Sequence, residues 1–482
     1  MALLCSALAG GCAPSARAPR LERPNIILVS IDTLRADHVN AYGYKARRVS
    51  PSLDALAADG MLFESHVASA PWTLPSHASL LTSLSPSTHG VTPSLMEFVA
   101  PSGAPPALSS SRETLAETLR GAGWSTAAFT GGGPMASGFG LAQGFDAYDE
   151  SLLVKLSPED QAPVQAWISS QTQPFFLFLH TFDVHSPYLH PDFLKEVVPP
   201  QGLSRLTDAL GALRQGSPAL IGEGEEVAIL KREGRFTAPV CEALYDGAIR
   251  HTDAWLGTLF DWLKETGRYD DTLIVVTSDH GEAFGERGAA FYNAHGFSVF
   301  DELVLVPLIV KAPGGQSAGR RVRSVTRAID VMPTILGFAG VAGPSEMEGH
   351  GLGVDVASAP AVSEAVNQSY EMKSVRDGRY KLIVRIPEDQ VRAHGRGYLP
   401  PRMAGWLFDM EADPREARDL LRGATGFERL RAWVTRAPDP AETAERLSAE
   451  LRGLVRSQSG GVGAGSMDDE TRERLRSLGY VK

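Results

Sequence analysis

The sequence predicts an α/β fold in which a central, mostly parallel sheet is flanked by helices and followed by a small C-terminal α+β subdomain. Three observations predict it. Asn25-Ile26-Ile27-Leu28-Val29-Ser30-Ile31 and Leu273-Ile274-Val275-Val276 are near-continuous apolar, largely β-branched runs, the pattern of strands buried on both faces. Helical periodicity lies between them, clearest over Glu242 to Lys264, where Leu244, Trp255, Leu256, Leu259, Phe260 and Leu263 share one face. Both runs end in potential ligands, Asp32 after the first and Thr277-Ser278-Asp279-His280 after the second, where a parallel sheet opens to bind them.

The elements follow in order. Residues 1–23 form a leader and linker, ending in the Pro/Arg stretch Arg17 to Pro24. Leu8-Ala9-Gly10-Gly11-Cys12 resembles a bacterial lipoprotein leader that would be acylated at Cys12, giving a periplasmic or other extracytoplasmic location. The basic n-region is missing and Leu8 stands one position too far from the cysteine, so a disordered or mis-started terminus is the other reading. Residues 24–340 are read as the main α/β domain, with further strands at Ser125 to Phe129, Phe175 to Phe182 and Val306 to Lys311. Pro191 to Pro239, rich in Gly, Pro and Glu, reads as a surface insertion without a clear period. Residues 341–436 form the small subdomain, with strands at Tyr380 to Val384 and Gly405 to Asp409. Residues 437–482 form a helical, partly flexible tail. It has one helix over Asp439 to Arg456, paired internally by Glu442 and Arg446, a Gly/Ser spacer, and a charged helix over Asp468 to Leu478.

Composition narrows the function. A chain of 482 residues with 43% hydrophobic and 21% charged content is globular. A net charge of −11 argues against coating nucleic acid, yet leaves room for a small or polymeric anionic substrate held by a local cation. No later segment reaches the ~18 apolar residues of a membrane span. Cys5, Cys12 and Cys241 provide no disulfide framework, and Cys241 reads as a small buried residue. The sequence is silent on oligomeric state.

Two strand-end aspartates and a histidine, Asp32, Asp279 and His280, hold a divalent cation if the sheet brings them together. Thr73 precedes Pro75 at the start of a helix, where its hydroxyl, beside a cation, is a candidate nucleophile; the plain alternative is that Thr73 or Ser76 caps the helix. His185, on the loop after the Phe175 strand, is placed to donate a proton to a leaving group, or else is a hydrogen-bonded structural histidine. His77, early in the Thr73 helix, and His295 are further candidates, and His89 is read as structural. Arg35, Asp37 and Asp183 are read as loop braces.

Ile31-Asp32-Thr33-Leu34-Arg35, Pro75-Ser76-His77-Ala78-Ser79-Leu80-Leu81-Thr82, Asp183-Val184-His185-Ser186-Pro187 and Ser278-Asp279-His280-Gly281-Glu282 occur together in this order. In this the chain resembles the sulfatase family of the alkaline-phosphatase-like superfamily over roughly Pro24 to Tyr380, with a weaker echo to Leu420. The resemblance implies an alkaline-phosphatase-like catalytic domain over residues 24–340. It implies that Asp32, Asp279 and His280 ligate one divalent metal ion, that position 73 carries the nucleophile, that His185 contacts the ester oxygen, and that His295 lies near the bound anion; His77 is expected beside it as a further substrate contact.

The chain departs from the family pattern at three places. Sulfatases usually read C-x-P-S-R or S-x-P-S-R, and the first residue is oxidised to formylglycine; here the positions are Thr73-Leu74-Pro75-Ser76-His77, so formylglycine is not expected. The usual paired aspartates after the first strand are reduced to Asp32-Thr33, and the lysine of the K-x-x-x-Y pattern is Gly296. The set is similar to that of threonine-nucleophile relatives such as lipoteichoic-acid synthases and phosphoethanolamine transferases. Sulfate or phosphate ester hydrolysis through Thr73 is therefore the first expectation. A phosphoglycerol- or phosphoethanolamine-type transferase and a catalytically silent binding protein are the alternatives. The ligand types suit Mn or Zn at least as well as Ca.

Overall fold

The computed structural model describes residues 23–99, 104–215, 223–288, 292–353, 355–367, 369–394, 399–400, 404–422, 438–455 and 463–478. Cys5, Cys12 and the rest of the leader lie outside them. The expected α/β architecture is present.

Among the described residues, nine strands form the main sheet. At its centre Asn25–Ile31 runs parallel to Phe175–Thr181 on one side and to Thr272–Thr277 on the other. Ser125–Phe129 extends the parallel set, followed by the short Ala147–Asp149. Beyond Thr272–Thr277 the sheet becomes mixed, because Leu308–Lys311 enters antiparallel and leads to Met61–Val67. Pro307 shortens the strand expected from Val306, since it cannot donate to the ladder; Leu305–Val306 pairs only with Met61–Val67, whereas Leu308–Lys311 pairs with both Met61–Val67 and Thr272–Thr277.

Alternate residues of the first strand face two different cores. Ile27, Val29 and Ile31 pack under the long helix Ala238–Glu265, through Leu244, Ile249, Leu256 and Leu259. Ile26 and Leu28 face the opposite layer with Phe176, Phe178, Leu80 and Ile335. Burial on both faces is what an unalternating apolar strand requires.

The Pro191 to Pro239 segment departs from expectation. It contains helices over Leu194–Val197, Pro200–Gln215 and Glu223–Arg232, with Leu206 and Leu210 fully buried. Leu203, Leu206, Leu210 and Leu213 follow a helical spacing that the high Gly, Pro and Glu content obscures.

A second, antiparallel sheet contains Ala361–Val366, Tyr370–Arg376, Tyr380–Pro387 and Ala404–Asp409 in that order, with the helix Pro440–Leu454 packed on it through Leu447 and Leu451. Arg446 does not follow the expected pairing with Glu442: it reaches Asp377 of the sheet, and Glu450 at 3.8 Å. A neighbouring turn outcompetes the local pair because it holds the helix against the strands. The last described helix, Asp469–Ser477, is capped by Asp468 and buries Leu475 in the main core.

Candidate active site

Register sets the site. Ser30 lies level with His180 on one neighbouring strand and with Thr277 on the other, so Asp32 and the Ser278-Asp279-His280 turn emerge together. The chain turns sharply after Asp32, with Thr33 at φ 58°, in the left-handed region. The single Thr33 hydroxyl proton is shared between the Asp32 carbonyl at 2.7 Å and the Val184 carbonyl at 2.9 Å. Thr33 thus ties the strand end to the loop carrying His185 and does not present an oxygen in place of a second aspartate.

Thr73 is the first residue of the helix Thr73–Thr82. Trp72 occupies the N-cap and makes no side-chain cap bond, so Thr73 is not the cap. Nor is Ser76, whose hydroxyl donates to the Asp279 carbonyl at 2.6 Å and locks the helix to the Ser278-Asp279-His280 turn. The Thr73 hydroxyl is buried, 3.3 Å from Asp32 Oδ2 and 3.5 Å from His280 Nε2.

The electrostatics around it are unusual. His280 Nδ1 faces the Gly281 carbonyl at 2.8 Å; a carbonyl only accepts, so the proton sits on Nδ1 and Nε2 carries a lone pair. That Nε2 lies 3.4 Å from Asp279 Oδ2 and 3.7 Å from Asp32 Oδ1. Both oxygens are buried with no hydrogen-bond partner. His180 repeats the pattern: its Nδ1 faces the Thr130 carbonyl at 3.0 Å, while Nε2 stands 3.2 Å from Asp32 Oδ2. Burial raises the Asp32 pKa, and burial with the charge of Asp32 raises that of Asp279 to about 6. Burial, with His295 alongside, lowers His280 to about 4. Lone pairs turned inward on one point, in a buried site, are what a cation compensates. Asp32, Asp279 and His280 offer ligand atoms within 4.8 Å of one another, so the residues present fit a divalent ion.

His185 and His295 continue the cluster. The His295 ring lies 4.6 Å from that of His280 and 5.1 Å from that of His185, centroid to centroid. Glu282 Oε1 stands 3.3 Å from His295 Nδ1, and Tyr188 donates to the other Glu282 oxygen at 3.1 Å. His185 Nδ1 donates to the Ser186 carbonyl at 2.6 Å, leaving Nε2 as the acceptor. Burial, together with His295 and Lys155, holds the His185 pKa well below the usual imidazole value. The Lys155 ammonium caps the carbonyls of Phe182 and His185, fixing this loop.

His77 corrects the sequence expectation of a substrate contact. Its Nδ1 donates to the Thr73 carbonyl at 2.9 Å, its Nε2 meets the Ser30 hydroxyl at 2.9 Å, and the side chain is fully buried. With both nitrogens occupied it braces the Thr73 helix from behind. His89 is structural as expected, bonded to the Ser79 hydroxyl and the Val91 amide. Gly296 adopts φ +80°, where a lysine would be strained.

Sequence reasoning misses His180 and Glu282. His180 has a signal: it sits on the same strand face as Phe176 and Phe178, a polar residue interrupting an apolar series that points at the site. Glu282 has none, because its role comes from the fold alone.

The chain is 26% identical to the multifunctional alkaline phosphatase superfamily protein PehA of Trinickia caryophylli, over 83% of this chain and 91% of that protein. It is 25% identical to an arylsulfatase of Klebsiella aerogenes, over 69% of this chain and 89% of the relative. The match to a choline-sulfatase of Rhizobium meliloti is 30% identical but covers 38% of this chain and 33% of that enzyme. Among solved structures, the phosphonate monoester hydrolase of Agrobacterium radiobacter aligns with TM-score 0.60 at 20% identity, over 89% of this chain and 96% of its own. That of Silicibacter pomeroyi aligns with TM-score 0.59 at 21% identity, over 91% and 97%. The Sulfatase family model matches residues 24–341, and the chain belongs to that family of ester hydrolases.

Proposed function

We propose that this protein is a metal-dependent hydrolase of phosphate esters, diesters included, acting through Thr73 as a covalent nucleophile, with sulfate esters as the second substrate class. The carrying observation is the position of the Thr73 hydroxyl, 3.3 Å from Asp32 Oδ2 and 3.5 Å from His280 Nε2, beside two unpartnered carboxylate oxygens. Asp32, Asp279 and His280 would hold the cation. Bound there, it would favour the ionised Thr73 hydroxyl and neutralise charge on the ester.

The residues divide the remaining work. Thr73 Oγ attacks the central phosphorus, its proton passing to solvent or to a neighbouring base, and the P–O bond to the leaving alcohol breaks. Water then displaces Thr73 from phosphorus, releasing the product and restoring the hydroxyl. A threonine ester needs this second displacement at the central atom, because it cannot collapse to an aldehyde as a formylglycine hydrate does. Displacement at the central atom is ordinary for phosphoryl enzymes, which favours phosphate over sulfate. His295, oriented by Glu282, and His185 line the wall that would meet the ester oxygens. His185 starts neutral, so a bound anion must raise its pKa before it can donate to the leaving oxygen.

The test compares the wild type with Thr73→Ala and Thr73→Ser on an aryl sulfate, a phosphate monoester and a phosphate diester, with metal content measured on each sample. Thr73→Ala should lose at least about 10³-fold in kcat while keeping its metal. Intact-mass analysis of quenched wild type should find the phosphoryl adduct on Thr73. Undiminished Thr73→Ala turnover would remove the nucleophile role. Product release only with an added acceptor would instead mark a transferase, and a protein that binds no ion would mark a silent relative.

A further inference from the structure

Outside the site just described, the described residues hold one other His/Asp constellation with ligand atoms within 4.8 Å of one another, formed by Asp183, His190 and His251. We propose that these three side chains form a second cation site, for a borderline transition ion such as Zn²⁺, that clamps the His185 loop to the long helix Ala238–Glu265.

The geometry supports it at several points. Asp183 Oδ2 lies 2.8 Å from His251 Nδ1, and Oδ1 lies 3.4 Å from His190 Nε2. Two ligands of a tetrahedral Zn²⁺, at bond lengths of about 2.0 Å, stand about 3.3 Å apart. The His190 contact matches that spacing, whereas the 2.8 Å His251 contact is a hydrogen bond whose Nδ1 proton an entering ion would displace. The His190 and His251 rings are stacked at 4.1 Å between centroids and 22° between planes, which brings one nitrogen of each to the same carboxylate.

The constellation is built into the packing. Gly247 lies one turn before His251 on the long helix, and a Cβ there would fall 2.1 Å from the His190 carbonyl oxygen. The glycine therefore lets the His190 backbone press onto the helix beside His251. Asp183 is oriented by the Thr252 hydroxyl at 3.0 Å and the Leu156 amide at 3.3 Å, the outer contacts that aim a ligating carboxylate. The His251 side chain is 24% exposed, which gives an ion its way in.

Asp183 is two residues from His185, and the Lys155 ammonium caps carbonyls of the same loop. The ion's role is positional: it would join the loop that carries His185 to the helix behind it.

The experiment titrates the full, metal-stripped chain with ZnCl₂ and counts tightly bound equivalents by dialysis and elemental analysis. Two further proteins are measured, His251→Phe, which keeps a ring against His190, and Asp32→Asn/Asp279→Asn, which disables the first site. Wild type should bind two equivalents and each variant one. Co²⁺ bound to the double variant should show a visible ligand-field spectrum that adding His251→Phe abolishes. Should the first site hold no ion, wild type binds one equivalent and His251→Phe none, so failure of the catalytic reading is distinguishable from failure of this one. The proposal is overturned if His251→Phe binds as many equivalents as wild type, or, should that variant not fold, if the double variant binds none.

Discussion

His280 Nε2 and Asp279 Oδ2 face each other across 3.4 Å with no proton between them, because the His280 proton is committed to the Gly281 carbonyl. Such a pair repels until a cation joins it, so the site trades stability for binding. Asp279→Asn should therefore leave the metal-free protein at least as stable as the chelated wild type. It should also abolish the rise in Tm that a divalent ion gives the wild type, and lower kcat by about 10³-fold or more. Paired thermal melts with and without chelator check this; a metal-free variant several degrees less stable than metal-free wild type would refute the repulsion.

Glu282 acts through His295. Its Oε1 stands 3.3 Å from Nδ1, directing the other ring nitrogen toward the His185 and His280 side. Glu282→Gln keeps the shape but removes the charge that faces His295 Nδ1. A loss of about 10–100-fold in kcat is expected, the usual scale for an orienting partner. KM should stay within a few-fold and the pH–rate profile should shift. Should KM rise while kcat and the profile hold, Glu282 would be serving substrate binding instead.

How much of the fold and site is legible in the sequence depends on the range of each signal. The first strand and Thr272–Thr277 are readable from unbroken apolar runs, and Asp32, Asp279 and His280 from their place at the strand ends. The strands Ala361–Val366 and Tyr370–Arg376 escape such a reading, because Glu364, Glu371 and Lys373 interrupt them with charge. Those charges are buried and pair with one another, a compensation that only the fold creates. His77 misleads for a similar reason: its partner Ser30 lies 47 residues away in sequence. Threonine at position 73 is visible in the sequence, yet its distances from Asp32 and His280 exist only once three separate segments meet.

Gly296 answers whether the family lysine can be restored. At φ +80°, with its amide bonded to the Pro71 carbonyl at 2.8 Å, the backbone is in the left-handed region. Any Cβ would also meet Leu95 and Trp72 at 3.6 to 3.7 Å, so the position has room for Cβ but carries a backbone penalty. Gly296→Lys should cost about 1–2 kcal/mol of stability and should not increase aryl sulfatase activity. Denaturant unfolding and the three-substrate assay check both; a stable variant with raised sulfatase activity would show that the missing charge alone sets the preference.

Glu226 should give the folded protein a slope with pH. Its carboxylate accepts from the Tyr188 amide at 2.8 Å and the Ser186 hydroxyl at 3.1 Å, while Oε1 has no partner. Burial, only partly offset by these bonds, raises its pKa to about 7 from an ordinary 4.5. The folded state therefore holds a proton that the unfolded state gives up near pH 4.5. The stabilisation is fully present below that pH and falls as pH rises through about 7, by roughly 3 kcal/mol at most. Glu226→Gln, neutral at every pH, should flatten this part of the stability profile and gain most above pH 7. Because glutamine keeps an oxygen that can accept from the Ser186 hydroxyl and the Tyr188 amide on either side of Pro187, the variant should also keep His185 in place and retain activity at low pH. Urea unfolding at several pH values from 5 to 8 measures the difference, and parallel curves for the two proteins would show that Glu226 titrates normally.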